Sequence, residues 1–271
     1  AEDLPAPLPT VAEIKSSHGP DVLDERSGVV KVVRVNQHFA VKYGWQVHLV
    51  EGDSMIFVAK STKIRVPKVY AMFTEVSTNL KFIVMEYISG KTLADRWEEL
   101  DQDQKQAIAT QLRRYFDELR SLPSPGYFGS IDGSGLGHPF FHPAGDDGTF
   151  SGPFETEVEL LQALVAIPRH ERLKSNPVYE RGNYVESGLM AVFRGHKTVF
   201  THGDLHRGNV IIQDDGGVAV LDWAWAGWYP CFWEYCTAIW ACMGFRDNWH
   251  SWVAKILDPY HAEAAWFHIV Y

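Results

Sequence analysis

The segment VFTHGDLHRGNVIIQDDGGVAVLDW, residues 199–223, limits the fold more than any other part of the chain, because apolar runs bracket its polar residues. The runs at 199–200 and 210–212 predict short buried strands on either side of a polar connection. The sequence DDGG at 214–217 predicts a turn into a further strand that ends at Asp222. Loops held between buried elements often carry function, so this segment is a candidate catalytic loop.

A zinc site is one interpretation of this segment. His202, Asp204 and His206 alternate, so on a regular strand their side chains would point the same way and could bind zinc. However, Gly203 and Gly208 interrupt the strand character, and the remaining histidines lack a metal-binding spacing such as HxxxH. The sequence therefore disfavours a zinc hydrolase.

A magnesium and phosphoryl-transfer site is the other interpretation. Asn209 follows Asp204 by five positions, and Asp222 ends the next predicted strand. Amide and carboxylate oxygens suit Mg²⁺, which shares its coordination shell with phosphate oxygens. Asp204 is then free to orient a substrate hydroxyl and accept its proton. Phosphoryl transfer requires this combination of groups.

The N-terminal third is rich in predicted strands. The proline-rich residues 1–20 indicate an extended arm, and the sequence at 28–44 predicts a β-hairpin. Apolar residues at helical spacing predict one helix within 49–62. Two more strands are predicted within 64–73 and 80–88.

The remainder of the chain is predicted to be mainly helical. Thr92 with Asp95 resembles a capping arrangement that opens a short helix, and an apolar stripe predicts a longer helix at 108–119. Residues 121–153 are dense in Gly, Pro, Ser and Asp and predict a long irregular insert. Helix resumes at 155–167, and the aromatic tail from Cys231 onward is predicted to be helical.

These elements predict an α+β protein. Residues 1–85 would form a small β-rich N-lobe with the N-terminal arm and one helix. Residues 86–90 would form the hinge, and residues 91–271 a larger helical lobe that contains the catalytic loop and the insert.

The motif HGDLHRGN at 202–209, followed by LDW at 221–223, resembles the signature of the aminoglycoside phosphotransferase and choline kinase-like family. FAVKYG and VPKVY match the order of its small lobe, and GWYPCFWEY matches the segment after its metal-binding aspartate, as in fungal members. The resemblance runs from about Val29 to Trp240. It implies a bilobal protein-kinase-like fold, with a small antiparallel-β N-lobe containing one main helix and a larger, mainly helical C-lobe.

The resemblance also implies an activity, which is transfer of the γ-phosphoryl group of ATP to a hydroxyl of a small metabolite or an aminoglycoside-like acceptor. Asp204 would be the catalytic base, and Asn209 and Asp222 would be the Mg²⁺ ligands. ATP and Mg²⁺ are therefore the expected cofactors.

Further roles follow from the same resemblance. Lys42 would hold the α- and β-phosphates of the nucleotide, with Glu51 as its partner on the helix. Main-chain groups from Glu86 to Ile88 would meet the adenine at the hinge. Glu234 would brace the catalytic loop from a helix of the larger lobe.

Charge and composition narrow the class of partner. The chain carries 25 Lys and Arg against 34 Asp and Glu, a formal charge of −9, which disfavours nucleic-acid and anionic-membrane binding and is compatible with a cationic small molecule. No run approaches the roughly 20 apolar residues of a membrane helix. Three closely spaced cysteines favour free thiols, and no secretory signal is visible, so we expect a cytoplasmic protein. The sequence does not specify the oligomeric state.

Two alternatives remain open at this point. No clear glycine-rich phosphate loop precedes Lys42, where only Ser27–Gly28 stands, and this favours a kinase-fold pseudoenzyme or binding protein. The fold could also serve nucleotidyl transfer or another biosynthetic step.

Several aromatic and basic residues have two interpretations each. His206 and Arg207 would contact substrate or phosphate, or would lie on a solvated loop. Five tryptophans would form an aromatic box around a cation or would pack in the core: Trp223, Trp225, Trp228, Trp233 and Trp240.

Overall fold

The computed structural model describes residues 4–26, 28–142, 150–175, 181–242, 245 and 247–270. The chain divides into two compact units, each assembled from separate parts of the sequence. The first unit comprises residues 1–96 and 210–224, and the second comprises 97–209 and 225–271. The division of the sequence into lobes 1–85 and 91–271 around a hinge at 86–90 stays a prediction.

The described strands, in chain order, are β1 (Val22–Arg26), β2 (Val30–Val35), β3 (Phe39–Gly44), β4 (Val69–Glu75), β5 (Leu80–Glu86), β6 (Lys91–Thr92), β7 (Thr198–Thr201), β8 (Val210–Ile212), β9 (Val218–Val220) and β10 (Gly227–Pro230). The described α-helices are α1 (Val11–Ser16), α2 (Val50–Ser61), α3 (Leu93–Arg96), α4 (Gln102–Arg120), α5 (Glu157–Ser175), α6 (Arg181–Val192), α7 (Trp233–Trp240), α8 (Trp249–Ile256) and α9 (His261–Val270). Single 3₁₀ turns occupy Gly19–Asp21, Pro139–Phe141 and Arg207–Asn209. The α+β class predicted from the sequence is confirmed.

The first unit is organised around an antiparallel sheet with the strand order β1-β2-β3-β5-β4. The predicted hairpin is confirmed as β2 and β3. Asn36 turns it with a φ of 56°, and the Asn36 side chain accepts a hydrogen bond of 2.8 Å from the His38 amide. Asparagine tolerates this left-handed conformation because its short polar side chain can bond locally. The predicted strands β4 and β5 and the predicted helix α2 are also confirmed.

One face of this sheet packs into an apolar cluster of Ile14, Val33, Phe39, Val41, Phe82 and Val84. Ile14 comes from α1, so the extended arm predicted for residues 1–20 is wrong at this point. Thr10 and Glu13 form a capping box that starts the helix, and Ile14 is fully buried. Burying an isoleucine side chain contributes on the order of 1.5–3 kcal/mol, enough to favour a short helix over an extended arm.

A second, three-stranded sheet with the order β6-β8-β9 completes the first unit. The turn between β8 and β9 is the one that the DDGG sequence predicts, and Gln213 and Gly217 close it with a 2.8 Å backbone hydrogen bond. β9 ends two residues before Asp222, which adopts a φ of 58°. Left-handed backbone is rare for aspartate and is often found at functional positions.

The second unit contains helices α4 to α9 and a two-stranded sheet of β10 and β7. The apolar stripe predicted for α4 is confirmed, because Ile108, Leu112, Phe116 and Leu119 are all buried. β10 was absent from the prediction for this region. It pairs with β7 in a register that sets Trp228 opposite Phe200. The strand that leads into the polar loop is therefore paired along its whole length.

The predicted irregular insert at 121–153 contains one 3₁₀ turn, Pro139–Phe141, and residues 143–149 of it lie outside the described part of the chain. An isolated bridge pairs Phe128, within the insert, with Phe154, the residue that follows it. Within the described residues, no helix combines the length and apolar character needed to cross a membrane.

Candidate active site

A buried cluster of charges lies in the first unit, and it contains three of the residues singled out from the sequence. The Lys42 Nζ lies 2.7 Å from Glu51 Oε2 and 2.7 Å from Asp222 Oδ1. The side chains of Lys42, Glu51 and Asp222 are only 7%, 2% and 13% exposed. One ammonium group is therefore shared between two carboxylates that lie far apart in the sequence.

Each member of the cluster is placed by a different element. Phe39 and Val41 of β3 point into the apolar cluster, so the alternation of the strand directs Lys42 to the opposite face. Glu51 lies in the first turn of α2, where a carboxylate is favoured by the helix dipole. Asp222 follows β9. The pairing of Lys42 with Glu51 that the family resemblance implied is present in the structure.

The electrostatics of the cluster fix the charge states of Asp222 and Lys42. Burial alone would raise the pKa of Asp222, but the charges and hydrogen bonds of Lys42 and Arg26 hold it well below its usual range. Burial would lower the pKa of Lys42, but Glu51 and Asp222 together raise it above its ordinary value. Burial raises the pKa of Glu51 to about 7, because the attraction of Lys42 only partly offsets it. Asp222 is thus a firmly ionised carboxylate beside a firmly protonated lysine.

Arg26 is a fourth member of this cluster that sequence reasoning missed. Its Nη2 lies 2.7 Å from Asp222 Oδ2, and its Nε lies 3.0 Å from Asp24 Oδ2. Arg26 ends β1, directly before the Ser27–Gly28 pair. A single arginine near a turn carries no sequence signal of a partner 196 positions away.

The predicted hinge residues have their own bonds. The Glu86 carboxylate accepts hydrogen bonds from Arg65 Nη1 at 2.8 Å and from Arg65 Nη2 at 2.5 Å, so both of its oxygens are bonded. The Glu86 amide donates to Lys68 O, and the Tyr87 amide donates to His38 O. Ile88 is buried against Ile211 and Ala219. Any nucleotide contact in this segment must therefore use main-chain groups other than these two amides, and the Glu86 side chain serves the fold.

In the second unit, the loop after β7 brings together Asp204 and Asn209. Asn209 Nδ2 donates to Asp204 O at 3.0 Å and to Asp204 Oδ2 at 2.9 Å. The Asp204 side chain remains 15% exposed, and His206 Nε2 lies 3.6 Å from its Oδ2. Because the Asn209 amide nitrogen is used within the loop, its Oδ1 is the atom left to act as a ligand. The loop therefore presents one accessible carboxylate of fixed orientation.

A buried glutamate supports this loop from α7. Glu234 Oε2 accepts hydrogen bonds from the His202 amide at 2.7 Å and from the Gly203 amide at 3.3 Å. Burial raises the pKa of Glu234, and the positive charge of Arg120 and the two amides offset only part of that rise. Gly203 has a φ of +86°, and a Cβ there would lie 2.8 Å from the Trp225 carbonyl oxygen. The bracing role that the resemblance implied for Glu234 is present, and Gly203 is required by the backbone.

The two histidines of the motif take part in the loop itself. His202 is fully buried, and its Nδ1 accepts a hydrogen bond from the Asp204 amide at 3.2 Å. His206 Nδ1 accepts from the Gly208 amide at 3.0 Å. These bonds use one ring nitrogen of each histidine to hold the loop. Within the described ranges, no three His, Cys, Asp or Glu residues are grouped as a metal site would require.

Arg207 packs inside the second unit. It forms an ion pair with Asp247, and its guanidinium lies 5.3 Å from the centre of the Trp97 ring and 5.9 Å from that of Trp249. Such stacking and pairing anchor an arginine. These contacts contradict the solvated-loop interpretation of Arg207, and the contact with substrate or phosphate stays a prediction. Arg207 ties the loop to the start of α8.

Three of the five tryptophans named above are buried, as the packing interpretation expects. Trp223, Trp228 and Trp233 are each at most 2% exposed, and Trp240 is 38% exposed. Trp225 contacts the ring of His138 at 4.8 Å. A cation needs open access to several ring faces. The three buried rings do not offer that access.

His138 was missed by the sequence analysis. It is fully buried, its ring lies 5.3 Å from that of Trp233, and its Nδ1 accepts a hydrogen bond from the Phe140 amide. Burial lowers the pKa of His138 to about 3, although the negative charge of Asp204 opposes that shift. His138 is therefore neutral at physiological pH. Its position within the irregular insert gave no periodic signal.

The donor chemistry of two residues fits Mg²⁺. Asp222 supplies an ionised carboxylate, since its pKa is held well below the usual range by Lys42 and Arg26 with burial opposing them. Asn209 supplies an amide oxygen whose orientation is set by its own bonds to Asp204. Hard oxygen donors of this kind are the ligands that Mg²⁺ prefers.

Comparison with known proteins identifies relatives at the level of family and fold. Residues 51–267 match the phosphotransferase enzyme family, APH. No protein of curated function matches the sequence. Aminoglycoside phosphotransferase APH(4)-Ia is 16% identical with a TM-score of 0.59, covering 92% of this chain and 82% of its own.

Two further solved structures have the same fold. The GDP complex of aminoglycoside 2'-phosphotransferase-IIIa is 14% identical with a TM-score of 0.61, and the match covers 91% of this chain and 81% of that one. The streptomycin–ATP–APH(2")-IIa ternary complex is 15% identical with a TM-score of 0.58, and the match covers 96% of this chain and 83% of that one. The match confirms the bilobal kinase-like fold that the motifs of the loop implied.

Proposed function

The chain belongs to the phosphotransferase enzyme family, and we propose that it transfers the γ-phosphoryl group of ATP to a hydroxyl of a small, positively charged or aminoglycoside-like molecule. The observation that carries this proposal is the lysine cluster: Lys42 Nζ is bonded to Glu51 on one side and to Asp222 on the other. A buried lysine held in this way is a preorganised cation for phosphate oxygens. A chain that no longer used a nucleotide would gain nothing from keeping three buried charges together, since such groups are costly to desolvate.

The nucleotide roles are proposed for the first unit. Lys42 holds the α- and β-phosphates, and Glu51 keeps its ammonium group in place from α2. Main-chain groups between Glu86 and Ile88 hold the adenine. The hydrogen bonds from Arg65 to the Glu86 carboxylate support the assignment to main-chain groups, because the Glu86 side chain is already bonded within the protein.

The catalytic roles are proposed for the loop and for Asp222. Asp204 orients the acceptor hydroxyl and takes its proton as the phosphoryl group is transferred. Its partly exposed carboxylate and its bond from Asn209 Nδ2 support this role. Asn209 and Asp222 hold Mg²⁺, which when bound neutralises charge on the phosphate oxygens.

The acceptor is proposed only by chemical class. The APH(2")-IIa structure holds streptomycin together with ATP. The formal charge of −9 on this chain favours an acceptor that carries amino groups. Free cysteines at 231, 236 and 242 agree with a reducing compartment, and we propose the cytoplasm as the place of the reaction.

The test is a screen for nucleotide consumption against amino sugars, amino alcohols and aminoglycosides, with Mg-ATP and the full chain. ADP and a phosphorylated acceptor are the expected products. AMP and an AMP-modified acceptor would support nucleotidyl transfer instead. Thermal unfolding at millimolar Mg-ATP supplies the second readout, because a bound ligand raises the unfolding temperature. The absence of any shift would favour the pseudoenzyme.

A further inference from the structure

The connection between β1 and β2 is too short to form a glycine-rich flap over a nucleotide. Arg26 and Val30 are paired in the ladder, and the Val29 amide donates to the Arg26 carbonyl at 2.9 Å. Gly28 lies in this turn with a φ of +72° and open space around it. Only three positions separate the two strands, and the hydrogen bond from Val29 to Arg26 closes the connection, so it is too short to surround phosphate oxygens with main-chain amides. Some other group must supply that binding.

Arg26, the last residue of β1 before this turn, is a cation in contact with the candidate site. Its Nη2 bonds Asp222 Oδ2, while Lys42 bonds Asp222 Oδ1, so both oxygens of the proposed metal ligand are already paired with cations. For Asp222 to accept a metal ion, at least one of these two cations must leave it.

The two cations differ in how easily they can leave. Lys42 is 7% exposed and is also bonded to Glu51, so moving it would strand a buried carboxylate. Arg26 is 49% exposed, and Asp24 bonds its Nε from the same strand. The guanidinium can therefore turn away from Asp222 while Asp24 keeps it near the site. Arg26 is the exchangeable partner.

We propose that Arg26 binds the terminal phosphates of the nucleotide and so replaces the glycine-rich loop that this chain lacks. This inference rests on the proposed function. If Asp222 bound Mg²⁺ through Oδ2, that oxygen would no longer be available to Arg26, and the Arg26 Nη groups would be free to bind phosphate oxygens of the nucleotide. The planar guanidinium presents a fork of N–H donors that matches phosphate geometry. Asp24 acts as the positioning residue.

Lys31 offers a matched control on the same hairpin. It is one of the residues of β2, and its Nζ lies 3.6 Å from Glu25. Lys31 faces Glu25 in the ladder, and Arg26 faces Val30, so strand alternation places the two cations on opposite faces of the sheet. Lys31→Ala removes the same unit of charge without touching the Asp222 cluster.

The test measures dissociation constants of ATP, ADP and AMP by titration calorimetry, with Mg²⁺ present, for the wild-type chain and for Arg26→Ala, Arg26→Lys and Lys31→Ala. Arg26→Ala is expected to weaken ATP and ADP about tenfold, the loss of one charge-assisted hydrogen bond, and to leave AMP within about twofold. The dissociation constants of ATP and ADP for Arg26→Lys should lie between those of Arg26→Ala and the wild type, because an ammonium group lacks the forked N–H donors of a guanidinium. Lys31→Ala should leave all three nucleotides within about twofold. Thermal unfolding checks that each variant is folded.

The outcomes separate this inference from the proposed function. If Arg26→Ala binds ADP as tightly as the wild type, or more tightly, Arg26 is only a counter-ion of Asp222 and the inference is wrong while the kinase proposal stands. An equal loss for AMP and ADP would mean that the substitution disturbs the fold of the site, which also overturns it. If the wild-type chain binds none of the nucleotides, the proposed function itself fails.

Discussion

The ammonium of Lys42 lies 2.7 Å from Asp222 Oδ1, although 180 positions separate the two residues in the chain. The contact exists because β3 directs Lys42 away from the apolar cluster, and because the chain turns left-handed at Asp222 just after β9. The ion pairs of Lys42 and Arg26 with Asp222 thereby connect the five-stranded sheet of the first unit to the segment that follows its smaller sheet. The stability of the unit and its proposed chemistry depend on the same atoms.

Replacement of Lys42 by methionine is expected to lower the free energy of unfolding by about 3 kcal/mol, since Glu51 and Asp222 would lose their shared buried cation. Urea unfolding followed by circular dichroism measures this. Lys60→Met is the control, because Lys60 is exposed on α2 and its loss should change stability by at most about 0.5 kcal/mol. Equal stability for Lys42→Met and the wild type would contradict the cluster described above.

His138 is expected to make the fold sensitive to acid. Burial lowers its pKa to about 3 from an ordinary value near 6.5, so the folded state holds fewer protons than the unfolded state across that interval. The His138 contribution is complete above pH 6.5 and is lost as the pH falls toward 3, by up to about 1.4 kcal/mol per pH unit.

His138→Asn keeps an acceptor for the Phe140 amide but removes the titrating ring. The free energy of unfolding of this variant should fall less steeply than that of the wild type between pH 6 and pH 4, about the interval set by the two pKa values. Parallel curves for the two proteins would show that His138 does not titrate as proposed.

Glu234 is expected to control the turnover rate through the position of the catalytic loop. Glu234→Ala leaves the amides of His202 and Gly203 without their acceptor, at a cost of about 1–3 kcal/mol each. We expect kcat to fall at least about tenfold while the KM for ATP changes little, because the nucleotide residues lie elsewhere in the sequence. Glu234→Gln keeps one carbonyl oxygen and should retain most of the rate. An unchanged kcat in Glu234→Ala would remove Glu234 from this role.

Arg207 is expected to behave as a structural residue. Arg207→Lys retains the charge but loses the stacking on Trp97 and Trp249 and the fork toward Asp247, so stability should decrease by about 1–2 kcal/mol. Asp247→Asn, which removes the partner of the same ion pair, should lower stability in the same direction. A raised KM for the acceptor with stability unchanged would instead identify Arg207 as a substrate contact.

Local patterns allowed much of the fold to be predicted. The β2–β3 hairpin, helix α2 and the stripe of α4 are each specified by a period or a turn within about a dozen residues. The prolines at positions 5, 7, 9 and 20 favour an extended arm over residues 1–20, yet the Thr10 capping box and the burial of Ile14 decide for a helix at Val11–Ser16. β10 was missed because its pairing with β7 involves residues nearly thirty positions away.

The residues of the candidate site could be predicted where they lie in one segment of the sequence, and could not be predicted where tertiary packing brings distant residues together. The spacing of Asp204, Asn209 and Asp222 is written in one continuous segment. The bond from Arg26 to Asp222 and the burial of His138 depend on tertiary packing that no short window encodes. Long-range ion pairs and buried neutral histidines are therefore the features that only a structure supplies.

The most direct measurement of the central claim is the transfer reaction of Asp204→Asn beside the wild type, with an acceptor found by the screen. Asparagine keeps the size of the side chain and a carbonyl oxygen for Asn209 Nδ2, but it is a far weaker base. The proposed mechanism predicts a fall in kcat of at least about a hundredfold, with the dissociation constant of Mg-ADP within about twofold of the wild-type value. Equal turnover by both proteins would contradict the role of Asp204 and the mechanism built on it.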